Sequence, residues 1–274
     1  MIVSRAEIAP HAWDAFAFAH DGWIFHTQDW LSYELAWNRS EDRSFGVYYG
    51  DRLAAIVPYL ALDGVPSYNG EIGMMPLGQN WRVVARARGL VGTVRGHPVQ
   101  TPTEAGWPTR VVDTQQPEAA LWADLRHSIK SPIRRLQETH TVIHGPLAGL
   151  MLERLYAEQA AVLPVIPAAG WAVIWGFAAR GWASFYAAVE RETGRCDGAI
   201  GVYHHGDWSY YGAGRSLVPN VNACLLWHVL THPVARYFEL GWAARPWDDA
   251  KAKAIAFHKA ALGGQSWWVP VWTL

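Results

Sequence analysis

The chain has 274 residues, of which 51% are hydrophobic and 17% are charged, and its formal net charge is −1. This composition is sufficient to bury a large core and excludes a disordered chain. The balance of charge argues against a strongly cationic nucleic-acid-binding protein. The length predicts one large domain or two small ones.

The first half of the chain is predicted to mix helices with a β-hairpin. Thr27 is a good N-cap, and Gly50-Asp51 is a two-residue hairpin turn. The predicted elements are a helix over 28–37, strands over 44–49 and 53–62, a loop-rich stretch over 63–79, and helices over 117–128 and 131–139.

The second half alternates helices and strands more clearly. The predicted elements are helices over 147–163, 222–235 and 248–262, and strands over 172–178, 183–191, 199–205, 208–212, 237–240 and 266–273. A Gly206-Asp207 turn repeats the pattern of Gly50-Asp51, and Gly263-Gly264 should end the last helix. The repeated turn suggests tandem copies of one mixed α/β unit, joined near residues 117–145.

The cysteine content and the apolar segments bear on the compartment. Cys196 and Cys224 are the only cysteines and form no CxxC motif, which excludes a disulfide scaffold and fits a reducing environment. We expect no metal and no resident cofactor. The first ten residues lack the apolar core of a signal peptide. Residues 159–179 are uncharged but contain two prolines and two glycines, so we expect no membrane span and a cytoplasmic protein.

One basic cluster stands out. Its members are Arg126, Lys130, Arg134 and Arg135. Because Pro132 is expected to interrupt the helix, these cations should not form one stripe. A solvated face is the usual interpretation, and contact with the phosphates of a nucleotide substrate or of tRNA is the alternative.

The C-terminal half carries a set of ordered motifs. They are Tyr-Tyr-Gly-Ala-Gly at 210–214, Leu-Leu-Trp at 225–227, and Phe-His-Lys-Ala-Ala-Leu-Gly-Gly at 257–264. Earlier in the chain stand Phe-His-Thr-Gln-Asp-Trp-Leu at 25–31, Pro-Ser-Tyr-Asn-Gly at 66–70, and Ile-Arg-Arg-Leu at 133–136. In this order the motifs resemble the FemAB family of aminoacyl- and acyltransferases, which is built from GNAT-like domains.

The resemblance implies an α+β fold of two tandem GNAT-like domains, which we place at 1–125 and 126–274. It implies transfer of an acyl group to an amine. In the peptidoglycan branch of the family the donor is aminoacyl-tRNA and the acceptor is a nucleotide- or lipid-linked peptide. For this chain we expect aminoacyl-tRNA as donor and a small-molecule, peptide or nucleotide-linked amine as acceptor.

The resemblance also gives candidate site residues. Lys259 and Arg215 are the catalytic candidates, since an oxyanion needs a donor and the family motif places a lysine at 259. The interpretation of Lys259 as a helix-end cation is equally open. The candidate substrate-binding residues are Tyr68, Asn69, Arg134, Tyr211 and Phe257.

Two other functions remain open. The same fold could use acyl-CoA as donor, or the chain could be a non-catalytic GNAT-like protein that binds a peptide or sugar in a groove lined by some of its 17 tryptophans. The sequence shows no GxSxG, HExxH or Walker A motif, and this keeps the non-catalytic alternative open.

Overall fold

The protein forms two compact units. The structure, a computed structural model, describes residues 1–20, 22–38, 41–62, 65–66, 77–87, 93–95, 100, 107–163, 165–243, 250–269 and 271–273. Unit 1 comprises Met1–Gly106, Pro167–Val173 and Trp268–Leu274, and unit 2 comprises Trp107–Ile166 and Ile174–Trp267. Residues 107–125, which the sequence assigned to the N-terminal domain, therefore group with unit 2.

The helices are distributed over the whole chain. They are α1 (Pro10–Ala19), α2 (Gln28–Asn38), α3 (Trp81–Ala87), α4 (Glu118–Asp124), α5 (His127–Thr139), α6 (Pro146–Glu158), α7 (Ala168–Ala179), α8 (Val221–Thr231) and α9 (Ala250–Ala261). Short 3₁₀ turns cover Arg5–Glu7 and Ile24–His26.

Both units contain β-strands. They are β1 (Ile2–Ser4), β2 (Glu41–Asp42), β3 (Phe45–Tyr49), β4 (Arg52–Val57), β5 (Leu60–Leu62), β6 (Val65–Pro66), β7 (Leu77–Gly78), β8 (Thr93–Arg95), β9 (Trp107–Asp113), β10 (His140–His144), β11 (Ala183–Glu190), β12 (Cys196–His205), β13 (Trp208–Ser216), β14 (Tyr237–Trp242), β15 (Gln265–Val269) and β16 (Val271–Thr273).

Unit 1 is built on small sheets. Its main sheet has the order β1-β3-β4-β7, and smaller sheets have the orders β2-β5-β6 and β16-β8. Alternation along β3 and β4 directs Phe45, Val47, Ala55 and Val57 into one apolar cluster with Tyr59.

Unit 2 is built on a seven-stranded sheet with the order β10-β11-β12-β13-β14-β9-β15. The neighbours from β10 to β13 are antiparallel, whereas β13 and β14 are parallel. Helices α5 and α8 supply Ile133 and Leu225 to a core with Ile200 and Val202 of β12. Helix α6 packs against β11 and β12, and at Gly149 a side chain would collide with the rings of Trp175 and Phe185.

Both predicted Gly-Asp hairpins are confirmed. Strands β3 and β4 turn at Gly50-Asp51, and β12 and β13 turn at Gly206-Asp207. Gly50 and Gly206 have φ values of +59° and +53°, which glycine adopts without strain. The residues that stop α9, Gly263 and Gly264, also have positive φ, as the sequence indicated.

The predicted strand over 172–178 is wrong, because this segment lies in α7. Its β-branched and aromatic residues favoured a strand, but the buried residues Trp171, Ile174 and Phe177 recur every three positions, which is the helical spacing. Within the described residues no helix is both long enough and apolar enough to cross a membrane.

The predicted break at Pro132 is also wrong. Helix α5 runs unbroken from His127 to Thr139 with Pro132 inside it. The interruption between helices lies instead at Leu125-Arg126, between α4 and α5. Burial of Ile129, Ile133 and Leu136 along one face offsets the hydrogen bond that proline cannot donate.

One predicted helix end differs from the structure, and one predicted helix start lies outside the described residues. Helix α8 ends at Thr231 rather than 235, because Pro233 disfavours helical backbone at His232. The expected start of α9 at Asp248 lies outside the described residues, and α9 is described from Ala250.

A buried carboxylate ties β12 to the start of β10. Asp197 is 1% exposed, and it accepts hydrogen bonds from Arg195 Nε at 2.5 Å and pairs with His140 Nε2 at 3.0 Å. The hydrogen bond from Arg195 lowers the pKa of the Asp197 carboxyl, with a smaller contribution from His140. The ionised carboxylate therefore stabilises unit 2 at pH values above the ordinary pKa of an aspartate. This stabilisation is lost as the pH falls through the lower pKa of the folded state.

We predict that Asp197→Asn lowers the free energy of unfolding by about 1–3 kcal/mol at pH 7, because it removes a charge-assisted hydrogen bond in a buried position. The deficit should narrow below about pH 4, where the carboxyl of the unfolded chain becomes protonated, and it should narrow further as the pH falls through the lower folded pKa. Urea unfolding at pH 7 and pH 3 measures both values. Asp207→Asn, in the exposed turn, should change little, and an equal Asp197→Asn deficit at both pH values would contradict the assignment.

Candidate functional site

The central feature of unit 2 is a divergence between neighbouring strands. Strands β13 and β14 pair over three positions, from Trp208 opposite Tyr237 to Tyr210 opposite Glu239. Beyond these, β13 stays paired with β12 as far as Ser216, whereas β14 pairs with β9 through a bulge between Glu239 and Gly241. The two parallel strands therefore open away from each other, leaving space between their backbones.

A cavity of about 270 Å³ lies beside Tyr211, the first residue of β13 after the segment that pairs with β14. Its walls come from α5, β13, the start of α8, and α9. The lining residues are Ile129, Tyr211, Ser216, Asn220, Asn222, Ala223, Leu226, Ile255, His258, Lys259 and Leu262. This set combines an apolar wall with one lysine and contains no carboxylate, so the cavity is suited to a ligand that is partly apolar and partly anionic.

The N-terminus of α8 contributes to the cavity. Its N-cap, Asn220, has the left-handed φ of +66°, and its side chain makes no capping hydrogen bond. Asn220, Asn222 and Ala223 all line the cavity. The first N–H groups of a helix have no acceptor within the helix, and its dipole is positive there, so this wall favours an anion.

Lys259 places a second positive charge at the cavity. A β-carbon at Gly241 would lie 2.7 Å from Lys259 Nζ and 3.7 Å from the hydroxyl of Tyr210. The ammonium of α9 thus lies over the bulge of β14, in space that exists because position 241 has no side chain. Gly241 also has φ of +88°, so its backbone favours glycine, and a side chain there would displace the end of the flexible Lys259 side chain.

Tyr211 is held at the cavity by a close approach to one glycine and by an amide. Its hydroxyl lies against Gly214, where a β-carbon would come within 2.1 Å, and it accepts a hydrogen bond from Asn222 Nδ2 at 3.4 Å. Burial raises the pKa of Tyr211 well above its ordinary value. The hydroxyl therefore stays protonated at neutral pH and can donate a hydrogen bond.

Arg215 lies close by but is not one of the lining residues. Its guanidinium stacks on the ring of Tyr156 at 3.8 Å and donates to the carbonyl of Gly214 at 3.2 Å. The structure therefore brings Lys259 and Tyr211 together in one cavity and places Arg215 against Tyr156.

The remaining candidates lie elsewhere. Phe257 is 61% exposed on α9, under the guanidinium of Arg126 at 3.7 Å. Arg134 is exposed on α5, with its guanidinium 5.0 Å from the ring of Trp122. Tyr68 and Asn69 fall outside the described residues.

Sequence reasoning missed Asn220, Asn222 as a lining residue, and His258. The signal for Asn220 was present, because Pro-Asn before an apolar run is a helix start, but the cap was placed at Asn222. His258 stands between Phe257 and Lys259 in the last motif, and only its position on α9 shows that it lines the cavity.

Comparison with solved structures shows the fold. FemX matches with a TM-score of 0.64 and 10% identity over 96% of each chain. L-PGS from Bacillus licheniformis matches with a TM-score of 0.55 and 10% identity, over 96% of this chain and 90% of that one. A C-terminal domain (DUF2156) from Agrobacterium fabrum, described for a lysylphosphatidylglycerol synthetase, gives 0.51 and 11% identity over 96% of this chain and 90% of that one.

No family model and no curated protein matches the sequence. At these identities the structural matches show the fold alone. The predicted α+β class and the FemAB-like fold are confirmed at that level.

We predict that Gly241→Ala displaces the ammonium of Lys259, because the new methyl group would occupy its place. The rate at which Lys259 is acetylated by a soluble reagent, measured by mass spectrometry relative to exposed Lys253, should change several-fold. The positive φ should also cost about 1 kcal/mol of stability.

Gly206→Ala is the matched control. It has φ of +53° and no atom within 4 Å of its added carbon. It should cost similar stability and leave Lys259 reactivity unchanged. Equal reactivity of Lys259 in both variants would mean that the position of its ammonium does not depend on the space at Gly241.

Proposed function

We propose that this chain is an acyltransferase that moves an aminoacyl group from tRNA to an amine and forms an amide. The observation that carries the proposal is the pairing, in one cavity beside diverging strands, of Lys259 with the uncapped N-terminus of α8. Both are positive, and both suit a donor whose acyl group is attached near phosphates.

The chemistry requires little of the protein. The amine nitrogen attacks the ester carbonyl carbon, the bond between that carbon and the ribose oxygen breaks, the ribose oxygen takes a proton and the amine loses one. The main requirements are a neutral amine held about 3–3.5 Å from the carbonyl and hydrogen-bond donors for the oxyanion. The ammonium of Lys259 and the protonated hydroxyl of Tyr211 are donors at the cavity.

The fold and the sequence together support the choice of donor. The chain has the fold of FemX, and its motifs resemble those of the FemAB family, whose peptidoglycan branch uses aminoacyl-tRNA. Acyl-CoA also carries phosphates and is the alternative donor. Because charged tRNA is made in the cytoplasm, the proposal includes a cytoplasmic location.

The roles of the other candidate residues follow from their positions. Lys259 takes the direct catalytic role, since it lines the cavity, and Arg215 acts beside Tyr156 rather than on the reacting atoms. Tyr68 and Asn69 remain proposed acceptor-binding residues. The acceptor is a small-molecule, peptide or nucleotide-linked amine.

The donor is tested by incubating the protein with a mixed pool of amines and either labelled aminoacyl-tRNA or labelled acetyl-CoA. Transfer from tRNA supports the proposal. Transfer from CoA alone would replace it with an acyl-CoA-dependent enzyme, and transfer from neither would favour the non-catalytic ligand-binding alternative.

For the catalytic role, we predict that Lys259→Met lowers the single-turnover transfer rate by about 10²–10³-fold, because it removes a preorganised charge and keeps the apolar stem. The thermal midpoint should change little. Lys253→Met, on the exposed side of the same helix, is the control and should retain the wild-type rate. A Lys259→Met rate within a few-fold of wild type at unchanged stability would assign Lys259 as a helix-end cation only.

A further inference from the structure

Three cations form a stripe along α5. Arg126 is its N-cap, and Lys130 and Arg134 follow at intervals of four residues, so all three lie on one side of a continuous helix. We call these residues the α5 stripe. Arg135, the fourth member of the basic cluster in the sequence, points about 100° away from Arg134.

Each cation of the α5 stripe lies against an aromatic ring. Arg126 stacks on Phe257 at 3.7 Å, and Arg134 and Lys130 lie 5.0 Å and 6.0 Å from the ring centre of Trp122. The rings hold the cations in place, and Phe257 keeps 61% of its surface exposed. A large exposed aromatic residue beside ordered cations is the arrangement on which nucleic-acid bases stack.

Among the described residues, the cations of the α5 stripe lie beside aromatic rings and backbone carbonyls rather than carboxylates. None of its three cations forms an ion pair within the part of the chain that the structure describes, whereas Arg154, Arg195 and Arg236 each pair with a carboxylate. The polar contacts of the stripe are with backbone carbonyls, from Lys130 to Ala123 and from Arg126 to Phe257. Its charges therefore remain available to an external polyanion.

The α5 stripe begins at the edge of the cavity. Ile129, between Arg126 and Lys130, lines the cavity, and so does His258, next to Phe257. From Arg126 to Arg134 the helix advances about 12 Å, at 1.5 Å per residue. This length exceeds a pyrophosphate and fits several phosphates of one strand.

We propose that the α5 stripe, with Phe257, is an RNA-docking surface for the strand that leads to the acylated 3′ end. The phosphates of this strand lie on Arg126, Lys130 and Arg134, and a base stacks on Phe257. The inference rests on the proposed function, because it takes the cavity as the place of the acyl group.

The test is the salt dependence of RNA binding by the full chain, measured by fluorescence anisotropy with uncharged tRNA and with a single-stranded RNA ending in CCA. Each of Arg126→Gln, Lys130→Gln and Arg134→Gln should weaken binding. Each should also reduce the slope of log K against log salt by about 0.7–0.9. Phe257→Leu should weaken binding about five- to one-hundred-fold and leave the slope unchanged.

Arg135→Gln is the matched control, since it is exposed on the same helix but lies off the stripe. It should change the slope by less than any stripe variant. Equal effects of Arg135→Gln and the stripe variants, or no effect of the stripe variants, would overturn the proposal. Binding to vesicles of anionic lipid without binding to RNA would overturn it too.

The RNA in this experiment carries no acyl group, so its outcome is independent of transfer. Wild-type protein that binds RNA through the α5 stripe but transfers nothing would remove the proposed function and keep the docking surface. If the wild-type protein transfers from aminoacyl-tRNA but every stripe variant binds RNA with unchanged affinity, the proposed function stands and the docking surface is overturned. Thermal midpoints of all variants show that they are folded.

Discussion

The candidate site depends on one constraint, the loss of hydrogen bonding between β13 and β14 after three residue pairs. Backbone groups in a sheet are normally paired, and each of these strands keeps a partner on its other edge. Here β12 holds β13, and β9 holds β14 through its bulge. The two strands are therefore held apart beyond the third pair, and the cavity lies beside Tyr211, the first residue of β13 after the paired segment.

The elements around this opening each supply something that the strands cannot. Helix α8 begins shortly after β13 and presents its N-terminus, α9 places Lys259 over Gly241 of β14, and α5 contributes Ile129 to the cavity wall. Two positive features in one partly apolar cavity without carboxylates favour a ligand with phosphates at one end and an uncharged group at the other.

Much of the fold could be predicted from local signals. The Gly-Asp turns and the Gly-Gly stop of α9 need positive φ, which few residues other than glycine tolerate. Their positions can therefore be predicted from the glycines in the sequence. By contrast, the strand expected over 172–178 is helical, because β-propensity is outweighed by burial of Trp171, Ile174 and Phe177. Pro132 likewise did not end α5, because packing of Ile129 and Ile133 outweighs one missing hydrogen bond.

The candidate site could be predicted only in part. The family motif indicated Lys259 and Tyr211, which the structure places in one cavity, but it also indicated Phe257, which is exposed. Whether a residue of α9 faces the cavity or the solvent depends on how the helix is rotated against β14. The role of Asn220 depends on where α8 begins, and the alignment of Arg126 with Arg134 depends on where α5 begins. The capping residues and prolines in the sequence predicted both starts a few positions away from the observed ones.

The central claim, that the cavity beside the diverging strands receives the acylated end of the donor, is tested most directly by photo-crosslinking. A short RNA whose 3′-terminal adenosine carries an azido group is bound to the full protein and irradiated, and the crosslinked peptides are identified by mass spectrometry. The account predicts crosslinks within residues 211–226 and 255–262, which contain most of the cavity wall. Crosslinks confined to residues outside these segments and outside α5 would contradict it.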